Sequence, residues 1–165
     1  MKTILYSPWR LKYILAEKDK TCIFCLKQNK EEDIKNLILY RSNLCYVIMN
    51  TFPYNNGHLL VVPNRHVSNL NSLSQEECND LFSLVRLTEE IITKVYHPDG
   101  LNIGLNLGKA AGAGIDDHLH VHIVPRWLGD ANFMTSISGS RVIPEAFERT
   151  YKLLKEQFDN ETTKK

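Results

Sequence analysis

Apolar positions in the first half of the chain fall into short dense runs, and the pattern then changes to one long stretch with a helical period. Residues 38–40 and 45–49 are rich in aliphatic and aromatic side chains, and 41–43 between them read as a hairpin turn. Another strand is predicted from Gly57 through Val62 and ended by Pro63, which has no N–H to give to a ladder. From Ser74 the period lengthens. Ser74 and Glu77 stand at capping-box spacing, and Cys78, Leu81, Phe82, Val85, Ile92 and Val95 recur every three to four residues, one face of a long helix. Pro98-Asp99-Gly100 stops it. Strands are predicted over 101–107 and 118–124, and Pro144-Glu145 opens a C-terminal helix to about Phe158, with 159–165 a flexible tail. Residues 6–16 predict a short N-terminal helix, Cys22 to Cys25 a turn, and 33–36 a loop. Most links between strands are too short for parallel crossovers. The pattern therefore predicts an α+β fold, an antiparallel sheet with one long helix packed on it and a C-terminal helix. No repeat or low-complexity linker divides the chain, so 1–165 reads as a single domain.

Composition narrows the function. A chain of 165 residues buries enough surface to need no covalent staples. Its 20 basic and 19 acidic residues leave a formal net charge of +1, which supplies no broad footprint for nucleic acid or an anionic membrane. A small phosphate ligand needs only local positive potential. No apolar run approaches the length of a transmembrane helix, and Lys2, Pro8, Arg10 and Lys12 break any signal-peptide core. A cytoplasmic location follows as the expectation, where thiols stay reduced. There the close pair Cys22 and Cys25 points to metal or redox chemistry rather than a disulfide, and Cys45 and Cys78 are expected as small buried hydrophobes.

The chemistry concentrates in His118-Leu119-His120-Val121-His122-Ile123-Val124-Pro125-Arg126. Strand side chains alternate faces, so the three histidines share one face while Leu119, Val121 and Ile123 enter the core from the other. Three adjacent imidazoles stabilise a sheet poorly, because each buried ring nitrogen needs a partner and protonated rings repel. Two functional readings compete. Alternating histidines can chelate a catalytic metal, or one imidazole can attack phosphorus while its neighbours hold the phosphate oxygens. No acidic residue follows the third histidine within the motif, and the small-residue turn 108–114 upstream can present backbone N–H groups to an anion. The combination favours the phosphate site.

These residues resemble the signature of the histidine-triad family, His-φ-His-φ-His-φ-φ with φ apolar, matched by 118–124. The segment 50–63, with Gly57-His58-Leu59-Leu60-Val61-Val62-Pro63, is similar to the family's ribose-binding and G-H-x-x-V-x-P strand. Ser7-Pro8-Trp9-Arg10 and the run from Arg126 to Met134 resemble the bacterial diadenosine tetraphosphate phosphorylase branch. The resemblance implies the histidine-triad fold and a homodimer. It implies cleavage of a dinucleoside polyphosphate at an α-phosphate through a nucleotidyl-His120 intermediate, with inorganic phosphate favoured over water as acceptor. His122 would contact phosphate oxygens and His58 would support the triad. Asn106, Gly112, Ala113 and Gly114 would hold nonbridging oxygens, and Asn50 would bind ribose. Ahead of the triad stands Gly114-Ile115-Asp116-Asp117, so the Gln that often touches the leaving group in the family has no counterpart. Some members hold zinc with a C-x-x-C, a histidine after the V-x-P strand and the first triad histidine, which here are Cys22, Cys25, His66 and His118. A reduced C-x-x-C in a loop with an exposed His66 is the alternative. Trp9, Trp127 and Tyr54 stand as base-stacking or as core and interface aromatics. Two other functions use the same residues: a nucleoside phosphoramidate or mononucleotide hydrolase, and a zinc-containing nucleotide-binding interaction protein with incidental catalysis.

Overall fold

Five antiparallel strands in the order β1-β2-β3-β5-β4 form the sheet of the computed structural model, which describes residues 22–26, 30–130 and 146–163. The strands are β1 (Ile38–Arg41), β2 (Cys45–Met49), β3 (Leu59–Pro63), β4 (Gly100–Leu105) and β5 (Val121–Arg126). The helices are the single turn α1 (Ile23–Leu26), the long α2 (Gln75–Tyr96) and α3 (Phe147–Thr163). The expected N-terminal helix, Trp9, and Pro144 with Glu145 lie outside the described residues.

Both faces of the central strands are covered, so β2 and β3 read as continuous apolar runs rather than alternating ones. Cys45, Val47, Met49, Leu59 and Val61 form the main core with Leu81, Leu84, Val85, Ile91 and Ile92 of α2 and Leu154 and Phe158 of α3. Leu119, Val121 and Ile123 enter that same core. On the opposite face Tyr46, Ile48, Leu60 and Val62 pack with Phe24 and Ile38.

α2 begins as its sequence dictates. The Ser74 side chain accepts from the Glu77 N–H, and the Glu77 carboxylate accepts from the Ser74 N–H. Glu77 is buried because Arg65 grips its carboxylate with two nitrogens, at 2.8 and 2.6 Å. Phe82, expected on the core stripe, is 55% exposed. The stripe instead runs through Leu81, Leu84, Val85, Thr88, Ile91 and Ile92, and a residue one step from Leu81 is turned 100° away from it.

Several boundaries also move. β3 starts at Leu59 rather than Gly57, whose φ of +70° leaves the strand region and whose Cβ would lie 2.9 Å from the Tyr96 ring. β4 runs Gly100–Leu105 rather than 101–107, and Cys22–Cys25 leads into a helical turn. α3 continues to Thr163, past the Phe158 end and into the stretch expected as a flexible tail. β5 begins at Val121, with His118 to His120 preceding it. Their partner strand β3 has reached Pro63 there, and Val61–Val121 is the last ladder pair. Cys45 is buried as expected, whereas Cys78 is half-buried. Among the described residues no helix is long and apolar enough to cross a membrane.

Candidate active site

Register alone assembles the histidine face. Ile48, Leu60, His122 and Gly104 lie in one row across β2, β3, β5 and β4. Continuing the β4–β5 register by one residue sets Asn106 opposite His120. The row is apolar on one side of His122 and bare on the other, because Gly104 has no side chain and, among the described residues, nothing lies within 4 Å of where its Cβ would be. Among the described residues the face is therefore open toward β4. Phe24 of α1 closes it from the other direction, with its ring 5.3 Å from that of His118 and 5.1 Å from that of His120.

Hydrogen bonds then define the protonation pattern of each ring. His120 is 6% exposed, and its Nδ1 lies 2.8 Å from the His118 carbonyl oxygen, which can only accept. Nδ1 therefore carries the proton and Nε2 keeps its lone pair. Burial holds this ring below the ordinary histidine range, against the opposing pull of that carbonyl, so it is neutral near pH 7. His58 Nδ1 accepts the Tyr54 N–H at 3.0 Å, so its proton sits on Nε2, which donates to His122 Nδ1 at 2.9 Å. His122 then bears its own proton on Nε2, as a donor. Burial, then the proximity of His122 and His120, pushes His58 down to about 3. Burial, then His120, pushes His122 down to about 4.

Asn50, expected to meet ribose, has its amide engaged inside the protein. Its Oδ1 accepts from the Phe52 N–H at 2.9 Å and its Nδ2 lies 3.2 Å from His58 Nδ1. In the glycine turn Gly112 takes φ +86° and its N–H is held by the Lys109 carbonyl at 3.0 Å, so that member of the expected anion cradle is committed to the turn. Ala113 is half-buried, and Gly114 is exposed. Lys109 is largely exposed and lies 3.9 Å from Asp116. Tyr54 stacks at 18° on the His122 ring with centroids 6.0 Å apart, which sets it at the mouth of the site. Trp127 instead meets Tyr96 edge-on at the end of α2.

Adjoining this face, Cys22, Cys25, His66 and His118 bring one ligand atom each to within 4.8 Å of one another. His118 Nδ1 lies 3.3 Å from Cys22 Sγ and 3.6 Å from Cys25 Sγ, and His66 Nδ1 lies 3.3 Å from Cys25 Sγ. Tetrahedral bonds of the length zinc makes to sulfur and nitrogen would separate such atoms by about 3.5 Å. The other nitrogen of His118 donates to the Pro63 carbonyl at 2.9 Å, and His66 Nε2 faces Asp117 at 4.0 Å. Such outer acceptors orient metal-binding imidazoles. Burial first, then the neighbouring Cys22, pushes the Cys25 thiol up to about 11, a penalty that a cation between the sulfurs would reverse.

Sequence reasoning missed the Phe24 contact with His118 and His120, and the hydrogen bond from the Asn55 amide to Asp130 at 2.7 Å. Phe24 lies inside the C-x-x-C, and no periodicity links it to a strand about a hundred residues away.

A histidine-bearing strand laid against a G-H strand in a five-stranded sheet defines a class, and the chain belongs to it: the family model described as HIT domain matches residues 31–127. Among curated relatives, AP-4-A phosphorylase of Mycobacterium tuberculosis is 41% identical over 158 residues, a match that covers 91% of this chain and 81% of that protein. The asymmetrical bis(5'-nucleosyl)-tetraphosphatase of Schizosaccharomyces pombe is 40% identical over 93 residues, covering 56% of this chain and 50% of that protein. Among solved structures, a Zn-bound histidine triad family protein from Mycobacterium smegmatis superposes with a TM-score of 0.69 at 26% identity, covering 88% of this chain and 99% of that one. A hypothetical histidine triad nucleotide-binding protein from Sulfolobus tokodaii gives 0.65 at 29% identity, covering 84% and 93%.

Proposed function

We propose that the protein cleaves dinucleoside polyphosphates, with diadenosine tetraphosphate as the reference substrate, by attack of His120 Nε2 on an α-phosphorus. The single observation that carries this reading is the 2.8 Å hydrogen bond from His120 Nδ1 to the His118 carbonyl, which leaves Nε2 unprotonated on a buried neutral ring. The names of the similar proteins supply the substrate class. Attack forms an N–P bond and breaks the bridging P–O bond, releasing ATP and leaving AMP on His120. Charge grows on the equatorial oxygens, so positioned donors do most of the work. His122 Nε2–H is one donor. Asn106 and the backbone at Ala113 and Gly114 are the proposed further contacts to the substrate, whereas the Asn50 amide and the Gly112 N–H are already engaged within the protein.

Inorganic phosphate is the favoured acceptor: its oxygen attacks phosphorus, the N–P bond breaks and ADP forms. Water at about 55 M loses to millimolar phosphate only if an oriented acceptor site exists, and orientation is worth roughly 7–11 kcal/mol, enough to reverse that ratio. The test is product analysis with labelled phosphate. Label in ADP, with ATP as co-product, supports phosphorolysis; AMP and ATP at a rate indifferent to phosphate make the protein a hydrolase. Very slow turnover beside micromolar nucleotide binding would make it a binding protein.

Zinc at Cys22, Cys25, His66 and His118 is the proposed structural cofactor, supported by the ligand spacing and the outer acceptors. It would supply a fixed cross-link from the C-x-x-C to the histidine strand. A homodimer is proposed because β4 is a sheet edge whose Ile103 is exposed. The chain is read as one domain spanning 1–165 and as cytoplasmic, in keeping with four free thiols.

A further inference from the structure

The segment from Asn50 to Gly57 supplies the N–H groups that face His58, yet it carries no regular structure of its own. Its backbone is tied to His58 by the Asn50 N–H to the His58 carbonyl at 3.0 Å, and one buried side chain links it further, to the far end of β5. Asn55 is 8% exposed, and its amide nitrogen donates to the Pro125 carbonyl at 2.9 Å and to Asp130 Oδ2 at 2.7 Å. The same carboxylate oxygen takes the Arg126 Nε–H at 2.6 Å, and Arg126 reaches across to Asn102 Oδ1 on β4 at 2.9 Å. The Asn55 carbonyl in turn accepts the His58 N–H at 3.2 Å. Gly57 lets the backbone pass against Tyr96 and Pro125, where a Cβ would come within 2.9 and 3.3 Å. The segment is thus fastened to the end of the strand that carries His122.

We propose that Asn55 and Asp130 are a positioning pair that selects the tautomer of His122, acting through the Tyr54 N–H and His58. The proposal rests on the reading above, in which His122 donates to the phosphate.

The chain of donors runs in one direction. With Tyr54 N–H fixed at His58 Nδ1, that nitrogen cannot hold a proton, so Nε2–H must point at His122 Nδ1 and His122 must keep its proton on Nε2. Release the segment and His58 is free to bear its proton on Nδ1. Its Nε2 then becomes an acceptor, His122 Nδ1–H donates to it, and His122 Nε2 turns a lone pair toward the phosphate. A donor to a developing oxyanion becomes a repulsive acceptor with no change in net charge. Asn50 Nδ2, 3.2 Å from His58 Nδ1, still favours the working tautomer, so the loss is partial.

The test is nitrogen-15 NMR of the histidine rings, with steady-state kinetics, on the full metal-loaded chain. Wild type should show Nε2–H at both His58 and His122. Asn55→Ala should show a mixture of tautomers at His122, with kcat down about ten- to a hundredfold and KM for diadenosine tetraphosphate little changed, the scale of a misplaced catalytic group. Asp130→Asn, which keeps the size and polarity of the side chain, should shift the rings in the same direction by less. A simply structural role would lower the melting temperature and leave tautomers and kcat of the folded fraction unchanged. Wild-type His122 protonated on Nδ1, or wild-type ring shifts in either folded variant, would overturn the proposal. The ring spectra answer even if wild type turns over no dinucleotide, so failure of the enzymatic reading stays distinguishable.

Discussion

Nδ1 of His120 sits 2.8 Å from the carbonyl oxygen of His118, so the residue whose ring faces two thiols also holds the proton of the buried ring beside it. His120→Ala is expected to lower single-turnover cleavage on the order of 10⁴- to 10⁶-fold, the scale at which other nucleophile deletions act. Nucleotide affinity by calorimetry should stay close to wild type, and no nucleotidyl-protein should form with labelled substrate. Near-normal turnover would remove His120 as nucleophile.

One zinc per chain is expected by elemental analysis of protein purified without chelator. Cys25→Ser should lose most of it, and chelation of wild type should lower the melting temperature, because metal bound only by the folded state stabilises that state. If the site is worth about 3 kcal/mol net, the shift is about 6–12 °C for a chain of this size. Protein that never contains metal, melting unchanged with chelator, would exclude the site.

Acid should destabilise the fold through His58 and His122. Both rings are held neutral by burial, near 3 and 4 against an ordinary value of about 6.5. Below pH 6.5 the unfolded chain binds protons that the folded chain refuses, so this contribution is complete above pH 6.5 and falls as pH drops toward 4. Each ring accounts for up to about 1.4 kcal/mol per pH unit in that window. Urea midpoints at pH 7, 6 and 5 measure it, and His58→Gln at equal metal content should flatten the slope. An equal slope in the variant would mean His58 titrates normally in the fold.

Gly57→Ala should cost about 1–3 kcal/mol in denaturant unfolding, from a left-handed backbone and a Cβ pressed on Tyr96 together. Since His58 follows directly, kcat should fall in the same variant. Unchanged stability would show that the Tyr96 ring moves aside at little cost.

The parts of the fold visible in the sequence are those set by local physics. Ser74 and Glu77 are three residues apart and complete each other's hydrogen bonds, so the start of α2 needs no tertiary information. Leu119, Val121 and Ile123 alternate with histidines, which fixes their face. What stayed hidden depends on distant partners. The beginning of β5 falls where its pairing with both β3 and β4 ends, at Val61–Val121 and Leu105–Val121. The turn at Gly112 spends an N–H that spacing alone offered to phosphate. Asn55 and Asp130, 75 residues apart, meet only in the folded chain.

The strict interleaving of histidine and aliphatic side chains from His118 to Ile123 has a consequence for how this sequence can drift. Active face and core are printed on alternate residues of one ribbon, so inserting or deleting a single residue there would exchange them, sending imidazoles into the interior and aliphatics into the site. Substitution remains open to the strand, but changes of length do not. Changes of length are accommodated instead in flanking connections such as 108–117, where a longer loop reshapes what can approach the histidines without altering which way they point.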